Sequence, residues 1–299
     1  MKVSSGKIKQ PYCILGYGID GVGKTSFAAH APDPIFIEPE KGSSHLDVSR
    51  FNDINSYADV LTSIDQLTKE THDYKTLVID TLDWLEQQIF DHICTENNKK
   101  SIELCEGGYG KGYVRALKEC RMLMIKLNTL RQEKQMNIIM LAHSTIVKYE
   151  DPTTPEGYDR YQLKLHKSKS IDIAALWREY VDAVLFMTYK VFISSKDGQK
   201  ARGVGEGIRV MYSEQRPGWD AKNRLGLPFE LDISWKAFDA AAKIGQPETL
   251  KAVSQEIDAL LTVSPKNIIE KATIAIRESK NDYDKLVVIR NRLRMLTSN

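Results

Sequence analysis

The sequence predicts an α/β fold with a mainly parallel sheet flanked by helices, followed by a small helical segment. Over about the first 235 residues, short apolar and β-branched runs alternate with helical patterns, as they do in parallel α/β folds. The glycine-rich stretch GIDGVGKT, residues 18–25, follows directly on the first apolar run. After Pro247 glycine is absent and only helical periodicity remains. We therefore expect a core over residues 1–246 and a helical appendage over residues 247–299.

The elements of the core follow from this alternation of apolar runs and helix-period segments. The predicted strands are Tyr12–Tyr17, Ile35–Glu38, Thr76–Asp80, Asn137–Ala142, Asp182–Met187 and Ile208–Tyr212. The predicted helices are Tyr57–Leu67, Leu82–Cys94 and Tyr113–Gln132, and another segment without a helix breaker follows the glycine cluster up to Pro32. Residues 144–165 predict a hairpin, because two alternating runs flank a turn rich in Pro, Gly and Asp.

The appendage shows three helix-period patterns. The first has apolar residues at positions 250, 253, 257 and 260, Ser264 and Pro265 mark the start of the second, and the third has them at 286, 289, 293 and 296. The third also carries a basic flank made of Lys285, Arg290, Arg292 and Arg294. Binding to DNA, to a single-strand-binding protein or to a neighbouring protomer, and a purely structural cap, all remain open for this segment.

Composition excludes several classes of protein. No apolar run approaches the roughly 18 residues that a membrane span needs, and the N-terminus lacks the pattern of a signal peptide, so we expect a cytoplasmic location. The four cysteines form no CxxC pair, which argues against a zinc site and a disulfide framework. With 42 basic and 40 acidic residues the net charge is +2, so any nucleic-acid binding depends on local patches.

The glycine-rich stretch predicts a phosphate-binding loop. Gly18 to Thr25 satisfy the pattern G-x-x-x-x-G-K-[ST] between a strand and a helix. In such a loop successive backbone N–H groups point at phosphate oxygens, Lys24 reaches the β- and γ-phosphates and the Thr25 hydroxyl binds Mg²⁺. The predicted nucleotide-binding residues are Gly18, Asp20, Gly21, Val22, Gly23, Lys24, Thr25 and Ser26.

Polar residues at the ends of three other strands predict the rest of the site. Asp80 ends the run TLVID and is expected to hold Mg²⁺ together with Thr25. Glu40, just past the second strand, is the expected catalytic carboxylate, with Glu38 as its competitor. His143, next to Ser144, follows the strand that begins at Asn137 and is a candidate sensor of the γ-phosphate; a structural role remains the alternative.

The chain resembles the RecA-like ATPase core, and more closely the phage-encoded ATPases of the AAA-type phage nucleotide-binding family, which include single-strand annealing recombinases. The resemblance rests on GIDGVGKTS, FIEPEKG, LVIDTLDWLE, GGYGKGY, IIMLAHS and WDAKNRLGLP, and it spans roughly residues 8–235. It implies ATP as the nucleotide, Mg²⁺ as the metal, the host cytoplasm as the location if the chain is phage-encoded, and the roles given above for Lys24, Thr25, Asp80 and Glu40.

The resemblance also implies residues that act on a neighbour and on DNA. Lys222 and Arg224 match a K-x-R pair that reaches across the subunit boundary to the neighbour's γ-phosphate. The loop GGYGKGY would face DNA through Tyr109, Lys111 and Tyr113. The hairpin stretch adds the basic residues Arg160, Lys164, Lys167 and Lys169, and strand alternation places Arg160 and Lys164 on one face.

These features favour an ATP-hydrolysing, single-stranded-DNA-binding protein that promotes strand annealing or recombination as a ring or filament, with turnover stimulated by DNA. The alternatives are a ring-forming DNA motor or helicase, a P-loop phosphotransferase that acts on a small molecule, and a non-catalytic scaffold for which ATP is an assembly ligand. The basic stretch at 160–169 holds one arginine, which is fewer than the lid of such a phosphotransferase usually has.

Overall fold

The computed structural model divides the chain into two compact units, one of which is Lys9–Gly245 and the other of which contains the C-terminal helices. The residues that it describes are 8–152, 156–168, 170–194, 202–245, 250–262, 264–279 and 283–297. Within these ranges, no helix combines the length and the apolar character needed to cross a membrane.

The strands of the first unit are β1 (Cys13–Gly18), β2 (Pro34–Ile37), β3 (Ser49–Arg50), β4 (Thr76–Asp80), β5 (Asn137–Tyr149), β6 (Tyr158–Leu163), β7 (Ala183–Ser194), β8 (Arg202–Tyr212), β9 (Lys222–Asn223) and β10 (Glu230–Asp232). Its helices are α1 (Lys24–Ala29), α2 (Tyr57–Lys69), α3 (Leu82–Glu96), α4 (Lys111–Glu133), α5 (Ile173–Tyr180) and α6 (Trp235–Gly245), with a 3₁₀ segment at Ile102–Gly107.

These strands form one mixed sheet, in which eight follow the order β10-β8-β7-β1-β5-β4-β2-β3, while β6 pairs with β5 and β9 pairs with β7. Neighbours from β7 to β3 run parallel, whereas β8 and β10 extend the sheet in antiparallel fashion. The strand that leads into the glycine-rich loop, β1, lies between β7 and β5 at the centre. The predicted α/β fold with a mainly parallel sheet is therefore confirmed.

Helices cover both faces of this sheet. Alternate residues of β1 belong to two separate buried clusters, with Leu15 and Tyr17 facing α2, α3, α4 and α5. Ile14 faces the other cluster, to which α1 contributes Phe27 and α6 contributes Phe238. Burial on both faces explains why the parallel strands appear in the sequence as nearly continuous apolar runs.

The end of β1 is held close to its neighbour β7. A Cβ atom at Gly18 would lie 2.0 Å from the carbonyl oxygen of Met187, so only glycine fits at this position. On the other side of β1, Gly18 lies opposite His143 of β5 in the parallel register. The first residue of the phosphate loop is thereby fixed between two strands.

One further element agrees with the sequence prediction and two helices differ from it. The hairpin of residues 144–165 is present as β5 and β6, which pair in antiparallel register. Helix α4 begins at Lys111 rather than Tyr113, after Gly110, whose φ of 76° ends the preceding turn. Helix α5 was not predicted; its signal is Asp172, whose carboxylate accepts a hydrogen bond from the Ala175 N–H at 2.6 Å, as an N-cap does.

The second unit contains α7 (Leu250–Thr262), α8 (Lys266–Ser279) and α9 (Tyr283–Thr297). Val253 and Ile257 of α7 pack with Leu286 and Leu293 of α9 in its core. The basic flank of α9 is partly neutralised, because Arg290 and Arg294 both contact the Glu256 carboxylate, at 3.5 and 2.6 Å.

Candidate nucleotide-binding site

The loop between β1 and α1 has the backbone of a phosphate cradle. Gly21 and Gly23 have φ angles of 69° and 108°, in the region where glycine avoids the strain that other residues incur. The Lys24 side chain is buried, and its Nζ donates to the carbonyl oxygens of Gly18 and Ile19 at 3.1 and 3.0 Å. Burial lowers the pKa of Lys24, while nearby carboxylates, that of Asp20 first among them, raise it.

The other predicted loop residues differ in what they offer a ligand. The Val22 side chain is fully buried in the apolar cluster beneath the loop, so only its backbone can face a nucleotide. The Asp20 side chain is 90% exposed. Ser26, in the first turn of α1, lines the same cavity as the loop.

Thr25 and Asp80 meet as the sequence predicted for a magnesium site. The Thr25 hydroxyl donates to Asp80 Oδ2 at 2.8 Å. Burial, followed by the neighbouring carboxylates Glu40 and Glu38, raises the pKa of Asp80 to about 6. A buried carboxylate of this kind fits a cation ligand, and Mg²⁺ commonly takes one or two protein oxygens, with phosphate and water completing its shell. When bound there, the ion would neutralise phosphate charge.

The structure distinguishes the two candidate carboxylates. Glu38 is buried; its Oε1 accepts from the Ser43 N–H at 2.9 Å and its Oε2 pairs with Arg50 at 3.3 Å. Glu40 instead lines the cavity beside the phosphate loop, and its Oε2 accepts from the Thr81 hydroxyl at 3.3 Å. Glu38 therefore organises its own loop, and Glu40 has the position of a carboxylate that acts on a ligand.

His143 connects the carboxylates around the loop. Its Nδ1 lies 2.9 Å from Asp83 Oδ2, and its Nε2 lies 3.5 Å from Asp20 and 3.8 Å from Glu40. The hydrogen bond with Asp83 raises the pKa of His143, against the effect of burial. Burial raises the pKa of Asp83, but its hydrogen bonds with His143 and Thr81 bring it below its ordinary value. Asp83 orients the imidazole so that Nε2 faces the cavity.

These side chains surround a cavity of about 630 Å³. Its lining includes Asp20, Gly21, Gly23, Lys24, Thr25, Ser26, Glu40, Asp80 and His143 from the sequence prediction. It also includes five side chains that were not assigned to this site, those of His45, Thr81, Trp84, Lys164 and Arg209. Of these residues, Trp84 could have been assigned from the sequence, because it follows Asp83 directly in the motif LVIDTLDWLE.

Lys222 and Arg224 are not part of this lining. The Lys222 Nζ donates to the carbonyl oxygens of Arg178, Glu179 and Val181 at 2.9, 2.8 and 2.6 Å, at the C-terminus of α5. Burial, together with the charge of Arg224, lowers the pKa of Lys222. Arg224 is exposed, and the two residues line a separate cavity of about 320 Å³.

The stretch GGYGKGY is only partly a loop. Tyr109 is fully exposed at the tip of the turn, and Lys111, also exposed, is the first residue of α4. Tyr113 lies within α4, where its ring stacks on His166 with the centroids 3.8 Å apart and contacts the edge of Phe90. One face of Tyr113 is thus covered, whereas the Tyr109 ring is open.

The prediction that Arg160 belongs to an exposed basic face of the hairpin is wrong. This residue is buried, its Nη2 bonds to Asp220 Oδ1 at 2.5 Å, and its guanidinium lies 4.6 Å from the Tyr149 ring centroid. Lys164 follows β6 and lines the phosphate cavity, while Lys167 pairs with Asp172 at 3.4 Å. Lys169 lies outside the described residues. Arg160 is neutralised inside the fold and has no surface to offer to DNA.

Comparisons with known proteins give a family match and two weaker similarities. A family model described as "AAA domain" matches residues 10–225 of the chain. The "SPbeta prophage-derived uncharacterized protein YorG" of Bacillus subtilis (strain 168) is 28% identical over 98 residues, which cover 31% of this chain and 30% of that protein. A structure described as "Crystal structure of the RadB recombinase" aligns with 76% of this chain and 90% of that chain, at 13% identity and a TM-score of 0.38. The family match spans every residue of the phosphate cavity and confirms the resemblance stated from the motifs.

Asp80→Asn should stabilise the metal-free protein at neutral pH. Folding raises the pKa of Asp80 from 3.8 to about 6, so the protonated carboxyl favours the folded state. This stabilisation is fully present below pH 3.8 and is lost as the pH rises through about 6. We expect the variant to gain up to about 3 kcal/mol at about pH 7.5 and far less at about pH 4.5. Urea unfolding with a chelator measures both. Exposed Asp73→Asn is the control, and an equal gain at both pH values would contradict the assignment.

Proposed function

The chain belongs to the AAA domain family, and we propose that it is a Mg²⁺-dependent ATPase that binds single-stranded DNA and promotes strand annealing or recombination as a homo-oligomer. One observation carries the hydrolytic part: Lys24, the Thr25–Asp80 pair, Glu40 and His143 line a single cavity. Within this proposal, residues 1–246 are the ATPase core, residues 247–299 are a helical appendage, and the protein acts in the cytoplasm.

The residues of the cavity divide the chemistry among themselves. The loop amides and Lys24 bind the phosphates, and Thr25 and Asp80 hold the metal. Glu40 orients the attacking water and accepts its proton, because its carboxylate is anchored by the Thr81 hydroxyl and its side chain, 34% exposed, lines the cavity. His143 Nε2, between Asp20 and Glu40, donates a hydrogen bond to the γ-phosphate. That contact makes His143 sensitive to whether the γ-phosphate is present.

The proposal includes assembly because the K-x-R pair, Lys222 and Arg224, lies outside the phosphate cavity of its own protomer. An exposed Arg224 in a second, basic cavity suits contact with the γ-phosphate of a neighbouring protomer. Charge stabilisation in the transition state would then require two copies of the chain. We infer that turnover depends on oligomerisation, and that single-stranded DNA accelerates turnover by favouring assembly.

The proposed DNA contact is the turn that precedes α4. Tyr109 presents an open aromatic face on which a base can stack, and Lys111 places a positive charge two residues away. Neither residue has a carboxylate partner among the described residues. Stacking and phosphate contact together give binding with little sequence preference.

Glu40→Gln should abolish hydrolysis while nucleotide binding persists. The amide keeps the hydrogen-bonding shape but cannot act as a base, so we expect turnover to fall by about 10²- to 10⁴-fold. Phosphate release and equilibrium ATP binding measure the two properties. Glu38→Gln is the contrasting variant: it removes the buried partner of Arg50 and should lower stability while the folded fraction still hydrolyses ATP. Unchanged annealing by Glu40→Gln would favour the scaffold alternative.

Mixing two inactive variants tests the shared site. Lys24→Ala removes phosphate binding and Arg224→Ala removes the proposed contribution to the neighbour, so each variant alone should lack turnover. In an equimolar mixture, about a quarter of the interfaces pair an intact loop with an intact Arg224, and we expect about that fraction of wild-type activity. No recovery on mixing, or full activity of Arg224→Ala alone at every protein concentration, would contradict the proposal.

Lys111→Ala and Tyr109→Asn should weaken binding to single-stranded DNA by different mechanisms. Removing one phosphate contact at Lys111 should reduce the slope of log affinity against log salt by about 0.7. Asparagine tolerates the φ of 55° at position 109, and loss of the ring should lower affinity about tenfold without changing that slope. Lys118→Ala, exposed further along α4, is the matched control. Fluorescence anisotropy across salt concentrations separates the two effects, and wild-type affinity and slope in both variants would exclude this surface.

A further inference from the structure

Arg209 of β8 lies against the phosphate loop, although its sequence surroundings resemble no nucleotide-binding motif. It pairs with Tyr189 in the antiparallel ladder between β7 and β8, and its side chain lines the phosphate cavity. Its Nη1 lies 3.1 Å from the position that a Cβ atom at Gly23 would occupy. The absence of a side chain at Gly23 therefore leaves room for the guanidinium beside the loop.

The sheet order places Arg209 on one flank of the loop and the catalytic groups on the other. Strands β7 and β8 lie on one side of β1, whereas β5, β4 and β2 lie on the other. Asp80 ends β4, Glu40 follows β2 and His143 follows the buried half of β5, so the metal and the γ-phosphate belong on their side. A cation that approaches from β8 therefore reaches the loop from the flank opposite to these three groups.

The charge of Arg209 is also available for a ligand. Among the described residues, no carboxylate lies within ion-pair distance of its guanidinium. Arg131, Arg160 and Arg178 of the same unit, in contrast, are each paired with an aspartate. An exposed arginine that keeps its planar set of donors beside a phosphate loop suits the oxygens of a phosphate.

We propose that Arg209 is a nucleotide-binding residue that contacts the phosphate oxygens that ADP shares with ATP. This inference rests on the proposed nucleotide site and adds a cation supplied by the antiparallel hairpin of the same protomer. It assigns separate tasks to two of the cations that line the cavity: Lys24 reaches the β- and γ-phosphates from inside the loop, and Arg209 holds the α- and β-phosphates from its outer flank. Arg209 thus retains the nucleotide before and after hydrolysis.

Equilibrium binding of MgATP and MgADP to the full chain tests this role. We expect Arg209→Ala to weaken the binding of both nucleotides by the same factor, about tenfold. The reason is that a charge-assisted hydrogen bond to a shared phosphate is lost in both complexes. Arg209→Lys keeps the charge but lacks the planar set of donors, so its affinities should lie between those of the wild type and those of Arg209→Ala. Arg121→Ala, an exposed arginine on α4, controls for the change in net charge. The thermal midpoint without nucleotide shows whether the variants fold as the wild type does.

Each outcome bears on the proposal. Equal weakening of ATP and ADP with an unchanged nucleotide-free midpoint supports it. Weakening of ATP alone would place Arg209 at the γ-phosphate and overturn it, and so would wild-type affinities in both Arg209 variants. A lower midpoint with unchanged affinities would make Arg209 a structural support of the loop, which also overturns the proposal. A wild-type protein that binds neither nucleotide would overturn the proposed function itself, whereas normal wild-type binding with unaffected variants would overturn only the role of Arg209.

Discussion

The parallel register of β1, β5 and β4 is the constraint on which the site depends. Gly18 lies opposite His143, and Asp80 lies opposite Leu141, so residues up to 125 positions apart in the chain (Gly18 and His143) meet at one edge of the sheet. Because side chains alternate between the two faces of a strand, a slip of one residue would exchange the buried faces of the strand and remove this alignment. The apolar residues buried on both faces therefore fix the chemistry as well as the fold.

Electrostatics at this edge favour a polyanion bound together with a cation. Four carboxylates, those of Asp20, Glu40, Asp80 and Asp83, influence Lys24, whose ammonium is bonded to loop carbonyls. Burial, together with the charges of Glu40 and Glu38, raises the pKa of Asp80, an effect that a bound metal ion would reverse. Lys24 must leave the carbonyls of Gly18 and Ile19 to reach a phosphate, so ligand binding exchanges one set of hydrogen bonds for a stronger, charge-assisted one.

Local pattern was enough to bring the loop, Asp80, Glu40 and His143 to one cavity, because each belongs to a motif or to the end of an apolar strand; their roles stay predictions. It was not enough for Arg160, since strand alternation identifies a face without revealing that Asp220, 60 residues away, covers it. Arg209 was missed for the same reason: its place beside Gly23 exists only because β8 folds back along β7. Pairings between distant segments decide which charges are neutralised inside the fold and which remain available to ligands.

The buried charges around Asp220 bear on the shared site. The Asp220 carboxylate forms ion pairs with Arg160 and Arg178, at 2.5 and 2.9 Å. Buried ion pairs of this kind contribute little net stability. Their main effect is therefore to fix the position of the segment that continues into β9. That segment carries Lys222, whose ammonium is occupied by three carbonyls at the end of α5. Withdrawing Lys222 would leave those carbonyls without their donor, a loss that contact with a neighbour would have to offset. Arg224, exposed on the same rigid segment, carries no such penalty. Within the proposed assembly, Lys222 therefore holds the strand in place and Arg224 reaches the neighbouring phosphate.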